Sequence, residues 1–76
     1  MPCINPDGTL TFAARDVLRS LDEPRTEAQI QKVARQPVYK VRSSLREMEV
    51  LGWVSAGDDR YALTEAGREV LDRLVG

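Results

Sequence analysis

Residues 41–54, VRSSLREMEVLGWV, contain a change of period that organises the whole chain. At about 100° per residue, Val41, Leu45 and Met48 fall within a narrow arc with Val38 at its edge, and such an arc must face a core. Gly52 closes the run as the natural left-handed cap. Beyond it the pattern is extended: Trp53–Ala56 and Arg60–Leu63 are short strand candidates, and Gly57-Asp58-Asp59 between them is a hairpin connection. The spacing therefore predicts a helix over about 37–51, with Pro37 suited to its first turn, that runs directly into a small antiparallel wing.

Upstream of this segment the chain reads as two shorter helices. Asn5-Pro6-Asp7-Gly8 is a turn, and Leu10, Ala14, Val17, Leu18 and Leu21 form a helical stripe capped by Thr9 or Thr11. Asp22-Glu23-Pro24 ends that helix, because the residue before a proline is pushed out of the helical region. Thr26-Glu27-Ala28-Gln29 has the form of a capping box, and Ile30, Val33 and Ala34 supply the buried stripe of the helix it opens. Downstream, Thr64 caps a last helix whose inner side carries Gly67, Val70, Leu71 and Leu74. Gly67 costs about 1 kcal/mol of helix propensity relative to alanine, so close packing is expected there.

Composition narrows the function classes. Seventy-six residues, 30% charged and 42% hydrophobic, describe one small folded domain spanning 1–76 rather than a disordered tail. No apolar run approaches the roughly 20 residues of a membrane span, and MPCINPDG has neither the basic nor the apolar region of a signal peptide. A cytoplasmic location without membrane attachment is the expectation. Cys3 is the sole cysteine and there is no histidine, so neither an internal disulfide nor a metal site is expected. Ser43 and Ser44 lack triad companions and no glycine-rich phosphate loop is present, so neither an enzyme nor a cofactor is expected.

Two motifs give the chain a resemblance. Val41, Leu45, Met48, Gly52 and Val54 resemble the recognition-helix pattern of winged-helix regulators of the MarR and PadR types, and Tyr61, Leu63, Thr64, Gly67 and Leu71 resemble their junction between wing and helix. The resemblance covers most of the chain from Thr26 onward. It implies an α+β, mainly helical fold: a winged helix-turn-helix with three helices, a two-stranded β-hairpin wing and a C-terminal helix. It also implies a small transcriptional regulator that binds double-stranded DNA, with the helix at about 37–51 in the major groove. Arg35 departs from the pattern, because these families usually place glycine in that turn.

Charge distribution bears on the same reading independently. Between Ala28 and Arg46 the chain carries Lys32, Arg35, Lys40, Arg42 and Arg46 and no acid, although the net charge is −1. Such asymmetry points to a polyanion partner. On the helical wheel the face opposite the core arc holds Tyr39, Ser43 and Arg46, flanked by Lys40 and Arg42. Arginine forks suit guanine O6 and N7, and lysine suits phosphate. Thr26, at the start of the second helix, is expected near the DNA backbone. Gln36, just before the recognition helix, Val38, at its start, and Arg60, beside the wing tip, complete the expected contacts.

Other features favour a winged-helix protein-interaction module without DNA binding. The wing tip is Asp58-Asp59, which repels phosphate, and Glu47 and Glu49 place negative charge at the end of the recognition helix. Phe12 projects opposite the stripe of the first helix, either packing against Cys3-Ile4 or touching a partner. A homodimer is expected, since palindromic sites mirror two-fold symmetry, with Phe12 and Val75 as its candidate contacts.

Overall fold

The computed structural model describes residues 4–75; Cys3 and the side chain of Val75 lie outside the described residues. Helix α1 (Phe12–Ser20) is followed by strand β1 (Arg25–Thr26), helices α2 (Glu27–Ala34) and α3 (Val38–Val50), strands β2 (Val54–Ala56) and β3 (Arg60–Leu63), and helix α4 (Glu65–Val75). The fold is a mainly helical α+β winged helix. The expected hairpin is present and gains a third strand, giving an antiparallel sheet of order β1-β3-β2. Arg25 pairs with Tyr61 and Thr26 with Arg60, so the start of α2 is stitched to the wing.

Local chemistry sets each boundary. Thr11, rather than Thr9, caps α1 by accepting from the Ala14 amide at 3.2 Å. Thr26 accepts from the Gln29 amide at 3.2 Å while the Gln29 side chain accepts from the Thr26 amide at 2.9 Å, completing the capping box. Gly52 takes the left-handed conformation at φ 79°, as the stop after α3 requires. Thr64 donates to the Gly52 carbonyl at 2.5 Å and accepts from the Gly67 amide at 3.1 Å, tying the end of α3 to the start of α4.

The core gathers Ala14, Val17, Leu18 and Leu21 from α1 and its end, Ile30 and Ala34 from α2, Val41, Leu45 and Met48 from α3, and Val54 and Leu71. Three turns of α3 therefore face inward along the arc that the 41-45-48 spacing defines. Val33, expected in the buried stripe of α2, is instead 51% exposed. It lies roughly 80° from the bisector of Ile30 and Ala34 on a helical wheel, and eight residues of α2 have only one narrow contact stripe. Phe12, one of whose readings was packing against the N-terminal segment, is 82% exposed, with the Arg15 guanidinium carbon 5.7 Å from its ring centroid.

Candidate nucleic-acid interface

The turn between α2 and α3 is built on a non-glycine left-handed residue. Arg35 sits at φ 55°, ψ 47°, and both its amide and that of Gln36, the latter at 3.3 Å, donate to the Gln31 carbonyl. An L-residue pays roughly 1–2 kcal/mol for this conformation. The turn nonetheless closes as it would with glycine, and α3 starts at Val38 immediately after Pro37, the residue whose carbonyl accepts the first helical amides.

From that start α3 presents its outer face. Tyr39 is 66% exposed, and Arg42 and Arg46 are exposed one turn apart. Lys40, Ser43 and Val38 are half-buried at the flanks, with Ser43 already engaged in an interaction of its own. Thr26 lies half-buried at the head of α2, its oxygen occupied as an acceptor by the capping bond. Its hydroxyl proton remains available to an external acceptor such as phosphate. Arg60 is exposed at the wing, its Nε 3.9 Å from the Asp59 carboxylate.

Gln36, expected among the DNA contacts, is turned the other way. Its Nε2 donates to the Ala13 carbonyl of α1 at 3.1 Å, and its Oε1 is buried without a hydrogen-bonding partner. The side chain thus anchors the helix-turn-helix to α1, because the left-handed Arg35 directs the chain back across that helix. The structure removes Gln36 from the outward set and gives it a bracing role.

Arg42 has a partner that the sequence reading does not contain. Its Nε donates to Glu27 Oε1 at 2.9 Å, joining the second turn of α3 to the first residue of α2. The pair borders an open bay of about 380 Å³ lined also by Leu45, Arg46, Glu49 and Tyr61. Two arginines and two glutamates thus share one concavity between the helices and strand β3. The only signal for Glu27 in the sequence is its place as the last acid before the acid-free run.

Elsewhere the surface differs in chemistry. A second open groove, of about 450 Å³, runs between the N-terminal turn and α4 past Leu10, Arg15, Trp53 and Leu74. Among the described residues no group of three or more His, Cys, Asp or Glu is placed to hold a metal ion. No described helix is long and apolar enough to cross a membrane.

No family model matches this chain, and no curated protein matches it. Among solved structures it is similar to BpsR of Bordetella bronchiseptica, from work on the regulation of that protein's DNA binding by 6-hydroxynicotinic acid. The TM-score is 0.84 at 21% sequence identity, over 92% of this chain. The match spans 56% of the BpsR chain, so the present chain corresponds to little more than half of that protein. At this identity the likeness establishes the fold: the chain shares the winged-helix architecture of BpsR.

Proposed function

We propose that this chain binds double-stranded DNA as a transcriptional regulator, inserting α3 into the major groove. The observation that carries the reading is the outer face of α3, where Tyr39, Arg42 and Arg46 are exposed on a helix fixed by three core positions. A rigid helix of this width fits the major groove, and forked guanidinium groups match guanine edges. Lys40 and the Thr26 hydroxyl are suited to phosphate, and Ser43 and Val38 border the same face. The fold shared with BpsR, a protein whose DNA binding is regulated, supports the reading. Two copies related by two-fold symmetry would present two such helices to a palindromic site about one helical turn apart. The exposed Phe12 ring supplies an apolar contact for that pairing.

The test is a titration of the isotope-labelled chain with mixed-sequence duplex DNA at low and moderate salt, following every amide. Shifts centred on 37–47 that weaken as salt rises are expected, since displaced counterions make such binding salt-dependent. The double variant Arg42→Ala, Arg46→Ala is expected to lose binding while keeping its fold, because both side chains are exposed. Absence of shifts at low salt would sink the proposal.

Two observations favour a second reading, a protein-docking module: the wing tip Asp58-Asp59 is exposed and acidic, and Val50 is 82% exposed just past the arginines on α3. A chain that ignores DNA would have its partner surface at one of these two places.

A further inference from the structure

Arg42 and Arg46 look equivalent in sequence and are not equivalent in the structure. Arg46 has no ion-pair partner among the described residues, whereas Arg42 is held through Nε by Glu27, fifteen positions away, at 2.9 Å. The backbone that carries the holding group is itself fixed. Glu27 is the first residue of α2, directly after the N-cap Thr26, whose capping box and pairing with Arg60 immobilise the backbone there. The carboxylate side chain is 28% exposed, against 67% for that of Arg42, so the acid lies deeper than the base it holds.

A guanidinium has five donors on three nitrogens. The Glu27 bond uses the Nε edge and leaves Nη1 and Nη2 without a hydrogen-bonding partner among the described residues. Those two nitrogens are the pair that can address guanine O6 and N7 together. An unheld arginine on the same helix would instead swing to the nearest phosphate, gaining affinity for every sequence alike. A carboxylate beside DNA lowers that indiscriminate affinity by repulsion. Holding the arginine also removes rotamer freedom before binding, which lowers the entropic cost of a fixed contact.

Resting on the DNA-binding reading, we infer that Glu27 is a specificity-setting residue: it positions Arg42 to read a guanine and denies it to phosphate. Arg46, unheld, serves as the sequence-indifferent contact. Glu27 itself touches no base in this arrangement. It is a positioning residue, and its removal changes discrimination rather than simply weakening binding.

Selection from a random duplex pool, followed by affinity measurements on the winning site, tests this with the wild-type chain and four variants. Wild type is expected to enrich a site with a required guanine and to prefer it to the guanine→adenine site by about tenfold or more, the range of one good bidentate contact. Glu27→Gln is expected to bind unselected DNA as tightly as wild type or more so, while losing most of that preference. Glu27→Asp keeps the charge but retracts the carboxylate by one methylene, so it is expected to lose the preference without gaining general affinity. Arg42→Ala is expected to lose the same guanine, with no further loss on adding Glu27→Gln. If Glu27→Gln tightens binding to both sites by one common factor, Glu27 only repels and the inference is overturned. If wild type selects a site and Glu27→Gln selects it with undiminished preference, the role of Glu27 alone fails. If wild type does not bind duplex DNA at low salt, the functional reading fails and carries this inference with it. Amide spectra of each variant matching wild type outside 26–46 establish that the fold is kept.

Discussion

Replacing Gly67 with alanine tests the joint on which the wing and α4 depend. Gly67 is buried in the first turn of α4, and a Cβ built there would lie 1.9 Å from the Trp53 carbonyl oxygen and 2.8 Å from its carbon. That oxygen accepts the Thr64 amide at 3.0 Å, so it has little room to rotate away. Restoring an ordinary 3.4 Å contact demands about 1.5 Å of movement between α4 and the segment joining α3 to β2. Neither side is the flexible end of a side chain.

The opposing terms can be compared. Overpacking of this kind costs about 1–3 kcal/mol, and disturbing the Thr64–Trp53 hydrogen bond adds about 1 kcal/mol. Alanine returns about 1 kcal/mol of helix propensity. The net expectation is a loss of about 2 kcal/mol, or roughly 8–16 °C in Tm for a domain of this size. Thermal and urea unfolding followed by circular dichroism would measure it. Gly57→Ala is the control, because a Cβ there meets only the Arg60 carbonyl at an ordinary 3.5 Å. A Gly67→Ala chain as stable as wild type would refute the reasoning, since the clash would then cost no more than the helix propensity that alanine returns.

Arg35→Gly is expected to leave stability unchanged or raise it by up to about 1 kcal/mol, because relief of the left-handed backbone outweighs the added freedom of the unfolded chain; a clear loss on thermal melting would contradict this. Arg35→Val, β-branched at a positive φ, is expected to lose more than about 1 kcal/mol in the same assay. Asp58→Lys with Asp59→Lys is expected to tighten DNA binding several-fold and to steepen its salt dependence, each new phosphate contact adding about 0.9 to the slope; an unchanged slope would mean the wing stays clear of the duplex. Asp7 accepts from the Thr9 hydroxyl at 2.7 Å and the Thr9 amide at 3.0 Å, which together hold its carboxyl below the usual aspartate value. A depressed folded value means that the turn's stabilisation is present above the unfolded value and is lost as pH falls through the folded one, so an NMR titration should find the Asp7 midpoint lower in the native chain than in urea, and equal midpoints would contradict the assignment.

The elements were legible because their signals are local. Thr26 and Gln29 announce a capping box three residues apart, Gly52 announces a stop, and the switch from Val41-Leu45-Met48 to the extended residues after it announces the wing. Strand β1 was not legible: two residues, Arg25 and Thr26, have no period, and only their pairing with Tyr61 and Arg60, thirty-six and thirty-four positions away, makes them a strand. Val33 misled for a related reason, since an eight-residue helix offers too few turns for the pattern to separate core from flank. Gln36 adjoins the recognition helix in sequence, and nothing local to it shows that its side-chain amide reaches Ala13, twenty-three positions away.

The charge of the interface is where sequence counting departs furthest from structure. Glu27 has a sufficient local explanation as an acid in the first turn of a helix, where the macrodipole favours it, so nothing along the chain asks for a second role. The role arises from the crossing of α2 and α3, which the Arg35 turn sets and which brings the carboxylate within 2.9 Å of Arg42. One of the five positive charges in the acid-free run is thereby matched from outside the run, and Glu49 lines the same bay as Arg46. The field over α3 is therefore weaker than the count of five implies. Repulsion from the acidic wing tip reduces it further. Indiscriminate attraction to phosphate falls with each matched charge, whereas contacts to base edges depend on where the donors are held. In the proposed DNA-binding reading, an interface arranged this way gives up general affinity and leaves discrimination to the geometry of one held arginine.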